Sequence, residues 1–159
     1  MSVVKICGLK TPEAVQAACD PANAGGADMV GFVFFKKSPR NVQPPIANAL
    51  AALVPPDVIK TALTVDATDD ELAIITAGGN IDLLQLHGSE TPERVAEVKA
   101  RTGLPVMKAL AIASPEDVAD ARAFEAVADR LLFDAKPPKD SGRPGGNAVA
   151  FDWGLLAGT

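Results

Sequence analysis

The 159-residue sequence holds a single histidine, His87, and only two cysteines, Cys7 and Cys19. The cysteines fall in no metal-like spacing, and with one imidazole they make no zinc site, so no metal centre is expected and both thiols are expected to be reduced. Long apolar runs are also missing. No segment approaches the roughly 18 residues a membrane span needs, and the N-terminus lacks the basic stretch and apolar core of a secretory signal. That combination reads as cytoplasmic. Basic charge is in deficit too, with 15 Lys+Arg against 20 Asp+Glu and a formal net charge of -5. Nucleic acid and anionic membrane surfaces are therefore not expected as general partners, and an anionic ligand must be met by a local cluster of bases. No G-x-G-x-x-G follows the first apolar run, so the fingerprint of a dinucleotide-binding turn is absent.

What is present is a repeated unit. The length suits one domain, and 48% hydrophobic residues can build its core. Six apolar runs read as strands: Val3 to Cys7, Met29 to Phe35, Ile59 to Val65, Ile81 to His87, Pro105 to Ile112 and Arg130 to Ala135, starting 22 to 30 residues apart. Alanine-rich stretches with helical spacing lie between them, as at Ala14, Val15, Ala18 and Cys19. Thr11-Pro12-Glu13, Thr91-Pro92-Glu93 and Ser114-Pro115-Glu116 each offer a capping hydroxyl, a first-turn proline and a glutamate for the positive end of the helix dipole. Thr68 to Glu71 fits a capping box. This β-α alternation predicts a parallel sheet. A barrel of eight such units takes about 25 to 31 residues per unit, and the chain contains six; a doubly wound open sheet fits six strands equally well by spacing alone.

In either parallel fold, ligands sit at the carboxyl ends of the strands. Residues foreign to an apolar strand cluster there. Lys5 and Cys7 alternate onto one face of the first strand, and an ammonium beside a thiol favours the thiolate, the form that can take up a proton. Gln85 and His87 end the fourth strand, Lys108 interrupts the fifth, and Asp134 with Lys136 end the sixth. Lys36-Lys37-Ser38-Pro39-Arg40 follows the second. Each has a plain structural reading: Cys7 as a small buried hydrophobe, His87 as a satisfied structural histidine, Asp134 as a cap or lysine partner, and Gly145-Gly146-Asn147 as a turn. As a set on one predicted face they suggest proton transfer on an anionic molecule.

The fragments K-I-C-G-L (Lys5 to Leu9), G-F-V-F (Gly31 to Phe34), S-P-R (Ser38 to Arg40), L-Q-L-H-G (Leu84 to Gly88), L-L-F-D-A-K (Leu131 to Lys136), P-G-G-N and F-D-W occur in order along the chain. Together the sequence resembles the phosphoribosylanthranilate isomerases of tryptophan biosynthesis. The resemblance implies an α/β fold of the (β/α)8 TIM-barrel family and an isomerase without metal or organic cofactor. It also implies a phosphorylated small-molecule substrate, N-(5-phosphoribosyl)anthranilate, rearranged to the 1-deoxyribulose 5-phosphate product. By the same resemblance Cys7 is the general base, Asp134 the general acid, and Arg40 the anchor of the anthranilate carboxylate. Lys5, Gln85 and His87 shape the substrate pocket, and the loop with Gly145 and Gly146 folds over it. For Asp134 to act as an acid it must hold a proton, which burial favours and nearby Lys136 opposes.

The family has two further β-α units whose loops hold the substrate phosphate, so residues 1–159 read as one barrel domain lacking the last two units. The oligomeric state is not legible. Asp20-Pro21 lengthens the connection before the second strand and should end the first helix early, and Ala148 stands where the family loop usually has glycine. The alternative is a catalytically incompetent fragment or pseudoenzyme that needs a partner chain to close its ring. A third option, an unrelated open-sheet binding domain, would pair the first strand with the third.

Overall fold

The computed structural model describes residues 2–23, 25–136 and 152–157. Its helices begin where the sequence supplies a hydroxyl. Thr11 accepts from the Ala14 amide at the start of α1 (Pro12–Cys19), and Thr91 from Arg94 at the start of α4 (Pro92–Thr102). Thr68 and Glu71 close a capping box on α3 (Asp69–Thr76), and Ser114 does the same with Asp117 on α5 (Pro115–Ala121). Helix α2 (Pro44–Ala51) starts from Gln43 without a side-chain cap, relying on prolines whose missing N–H groups would be unpaired there anyway. Asp20 ends α1 just before Pro21, as expected. Gly103, at φ 69°, ends α4 in the left-handed conformation that favours glycine.

Between the helices run β1 (Lys5–Cys7), β2 (Met29–Phe34), β3 (Ile59–Thr64), β4 (Leu83–Leu86), β5 (Val106–Ile112) and β6 (Arg130–Ala135). They form one six-stranded sheet in the order β1-β2-β3-β4-β5-β6, and every pairing is parallel. Consecutive pairing of the first strand with the second removes the open-sheet alternative. The sheet is strongly curled. Four strand spacings separate β2 from β6, about 19 Å on a flat sheet, yet the Arg130 guanidinium lies 3.9 Å from the Met29 sulfur.

Curling gives the sheet two unlike faces. Met29, Leu83 and Met107, with Ile59 and Leu132 against them, fill the concave face. Val30, Phe32, Ala62, Leu84, Leu86 and Val106 fill the convex face, where they bury helix residues such as Val15, Leu72, Val95 and Val98. Strand β1 is shorter than the apolar run predicts. Val3, Val4 and Ile6 are exposed, and at this edge the Val4 amide is held by the Asp28 carboxylate at 2.7 Å rather than by a ladder bond. Among the described residues, no helix is long and apolar enough to cross a membrane.

Candidate active site

Two clusters lie at the carboxyl ends of the strands on the concave face. The first is built on β1 and β2. Lys5 pairs with Met29 and Cys7 with Gly31, so both side chains share the face of Met29. Gly31 is the device that admits them. A methyl group placed there would meet Cys7 Sγ at 2.7 Å and Lys5 Nζ at 3.1 Å, so ammonium and thiol lean over an interior position that has no side chain. Just beyond, Gly8 turns the chain at φ 92° under the side chain of Arg40, which a methyl group on residue 8 would strike at 2.4 Å. The Arg40 loop is tied in place by Lys10 Nζ donating to the Pro39 carbonyl at 2.9 Å and by the Arg40 amide donating to Ser38 Oγ at 3.1 Å. Thus Lys5, Cys7 and Arg40 are neighbours although 33 positions separate the last two in sequence.

The dependence on Gly31 is testable. Gly31→Ala should displace Cys7 and Lys5, lowering turnover by about 100-fold, the cost of misplacing a reacting group by an ångström. Stability should fall by only about 1 to 3 kcal/mol, as for other overpacked sites. Ordinary turnover in that variant would show that the thiol's placement is immaterial.

The second cluster spans β4 to β6. His87 Nε2 lies 3.4 Å from Asp134 Oδ2, reaching over β5, where Ala109 and Ala111 offer only methyl groups. The His87 imidazole holds the Asp134 carboxyl below the usual carboxylate range, against burial, which pushes it up. The Ala135 amide adds a hydrogen bond at 2.9 Å. Lys136, expected to act on Asp134, instead donates to Asp117 at 3.1 Å; the histidine has that role. Gln85, two residues before His87 and on the same face, is buried, and its Oε1 has no partner among the described residues, as is also true of Thr61 Oγ1.

Two expectations need correction or restriction. Lys108 does not belong to an anion-binding set at the strand ends. It points to the convex face, 2% exposed, and pairs with buried Glu90 at 2.8 Å. Sequence reading missed Glu90 altogether, although a lysine inside an apolar strand is itself a signal that an acid must be near. Lys36 faces Glu71 at 4.0 Å. The predicted loop with Gly145, Gly146 and Asn147 lies outside the described residues. A groove of about 520 Å³ between Phe34, Lys36, Asp66 and Ile75 contains none of the proton-transfer candidates.

Among the described residues no group of three or more His, Cys, Asp or Glu is arranged to hold a metal ion. The arrangement offers a thiol with an adjacent ammonium, a carboxylate with an adjacent imidazole, and a guanidinium at the rim.

Residues 4–159 match the sequence profile of the N-(5'-phosphoribosyl)anthranilate (PRA) isomerases. The N-(5'-phosphoribosyl)anthranilate isomerase of Mesorhizobium japonicum is 56% identical over 155 residues, which is 98% of this chain and 69% of that protein. The one from Paracoccus denitrificans is 56% identical over 155 residues, 98% of this chain and 70% of that protein. The crystal structure of phosphoribosyl anthranilate isomerase from Thermotoga maritima superposes with a TM-score of 0.83 at 29% identity, covering 98% of this chain and 70% of that one. Another phosphoribosyl anthranilate isomerase structure, in complex with reduced 1-(o-carboxyphenylamino)-1-deoxyribulose 5-phosphate, gives a TM-score of 0.76 at 28% identity over 85% of this chain and 66% of that one. On its sequence and on its curled parallel sheet, the chain belongs to the N-(5'-phosphoribosyl)anthranilate isomerase family.

Proposed function

We propose that Cys7 and Asp134 carry the Amadori rearrangement of N-(5'-phosphoribosyl)anthranilate. It is an aldose-ketose isomerisation in which C1 of the sugar is reduced and C2 oxidised within one molecule. The observation that carries the reading is that a thiol and a carboxyl group, distant in sequence, share the concave face at the ends of β1 and β6, each with its own charged or polar neighbour. In the forward direction the ring oxygen takes a proton, the C1–O bond breaks, and the aryl nitrogen forms an iminium. Cys7, as thiolate, then removes the proton at C2 to give an enolamine, which tautomerises to the ketone.

Asp134 is the donor to the ring oxygen, and its contact with His87 supplies the means. A carboxylate held low is a poor acid alone, but a carboxylate–imidazolium couple carries one transferable proton. When His87 carries that proton, it passes it to the Asp134 carboxylate, and Asp134 hands the same proton on to the ring oxygen, leaving the couple as neutral imidazole and carboxylate. Arg40 offers a planar, two-pronged donor to the anthranilate carboxylate, and Gln85 Oε1 offers a buried acceptor to a sugar hydroxyl. Among the described residues both edges of the sheet lack a partner strand, with Val3, Val4 and Ile6 exposed at one of them, and they are read as closing on two further β-α units, whichever polypeptide carries them. A six-unit sheet that works only with a partner chain is the second reading that these edges favour.

Loss of anthranilate-type fluorescence on adding N-(5'-phosphoribosyl)anthranilate to the purified 159-residue chain tests the assignment. Turnover by this chain alone would remove the partner-dependent reading; turnover appearing only with a complementing chain would support it. Within an active preparation, Arg40→Ala should raise KM more than it lowers kcat, and Arg40→Lys should be a poor rescue. A fall in kcat at constant KM would remove Arg40 as a carboxylate anchor.

A further inference from the structure

We infer that the buried Lys108–Glu90 pair is a positioning device for the site, one that sets His87 against Asp134 by fixing the backbone on both sides of the histidine. The inference rests on the role given to the His87–Asp134 couple above. Lys108 Nζ donates to the Gly88 carbonyl at 2.7 Å and lies 3.5 Å from the Leu86 carbonyl, so one ammonium grips the residues immediately before and after His87. Its third partner is Glu90 Oε2 at 2.8 Å, and the same oxygen accepts the Gly88 amide at 2.9 Å. Glu90 Oε1 accepts the amide of Asp66 at 2.9 Å. Asp66 stands at φ 48°, and its carboxylate takes the Ser89 amide at 2.7 Å. A methyl group on Gly88 would meet the Asp66 backbone nitrogen at 2.6 Å, so the loops after β3 and β4 are in direct contact. The imidazole of His87 thereby projects toward Asp134 from a clamped segment, and the His87 amide is fixed to the Thr64 carbonyl at 2.9 Å.

The cost of the arrangement points the same way. An apolar pair of similar volume would fill this core equally well, and buried ion pairs are often no more stabilising than such a replacement. What the ion pair supplies that an apolar pair would not is directed hydrogen bonding to the two carbonyls that flank the imidazole. The ring of Phe124, 5.8 Å from the ammonium, closes the cage.

Because His87 is the only histidine in the chain, its imidazole signals in a histidine-labelled sample need no assignment, and they report its surroundings without any assay of turnover. The informative variant is Lys108→Met/Glu90→Gln, which leaves no buried charge unpaired. Its His87 signals should move toward those of Asp134→Asn, and kcat should fall about tenfold with KM within about twofold, as expected for a group that orients another. Lys60→Met, which breaks the Lys60–Asp82 pair at 2.8 Å on the opposite end of the sheet, should leave the His87 signals in place. If the methionine variant does not fold, Lys108→Gln/Glu90→Gln, which keeps a donor for the Gly88 carbonyl, should give signals between wild type and Asp134→Asn. His87 signals unchanged from wild type in either folded double variant, with kcat intact, overturn the inference. Ordinary turnover in Asp134→Asn would instead remove the role of Asp134, while the His87 spectra of the double variants still decide whether the pair sets the imidazole.

Discussion

Cys7→Ala is expected to lower kcat by roughly two to four orders of magnitude, the usual worth of a positioned general base, and Asp134→Asn by a similar factor for the acid. Neither should unfold the protein. Cys7 is only half-buried on a short edge strand, so removing its sulfur leaves little cavity, and asparagine keeps the shape of Asp134 and an oxygen for the Ala135 amide. KM should change little in both, because the groups act on protons that move after the substrate is seated. Combining the two substitutions should cost less than the product of the single losses, since each already disables one proton-transfer sequence. Cys19→Ser is the matched control. That thiol packs against the convex-side core, with burial and then Asp57 pushing its pKa up, and its loss should leave turnover unchanged. Ordinary turnover in Cys7→Ala would return the sulfur to the status of packing.

The largest effect on stability is expected from Lys108→Met. It strands the Glu90 carboxylate, whose side chain is 4% exposed, without its countercharge, and an uncompensated buried charge of this kind costs about 3 to 5 kcal/mol. Urea unfolding should show the loss as a lower midpoint at similar slope. Lys108→Met/Glu90→Gln should recover most of it, because the amide oxygen still accepts one of the two backbone N–H groups that Glu90 serves. An exposed pair such as Lys36–Glu71, at 4.0 Å and with the lysine side chain 89% exposed, should be removable at little cost. A midpoint unchanged in Lys108→Met would mean that Glu90 is solvated or protonated in the folded chain.

The parts of this molecule that could be read from sequence are those set by near neighbours. Thr11, Thr68, Thr91 and Ser114 cap helices by bonds spanning three residues, and Lys5 and Cys7 share a face because strands have period two. Lys108 was misplaced for the converse reason. In a parallel sheet covered on both sides, apolar residues occupy both faces, so alternation gives no sign of which face a lysine takes. Glu90 looked like an ordinary residue ahead of the Thr91 cap, since its partners Asp66 and Lys108 lie 24 and 18 residues away. Likewise His87 replaced Lys136 as the neighbour of Asp134 because contact between β4 and β6 depends on how tightly the sheet curls over the small residues of β5. Gly31 and Gly8 matter through side chains that come from elsewhere to occupy their space, which local sequence does not reveal.

The shortness of β1 has a further bearing on reactivity. Its three residues are bonded to one neighbouring strand among those described, and segments so lightly held open first in hydrogen exchange, well before the interior of a sheet. The sulfur thus rides on a three-residue edge strand, whereas the segment of His87 is locked by a network that includes the Lys108–Glu90 salt bridge. A second flank for β1 would do more than cover apolar surface: by slowing the fraying of Ile6 and Cys7 amides it would raise the fraction of time the strand that carries the thiol is in register, so protection factors at those two amides should track catalytic competence.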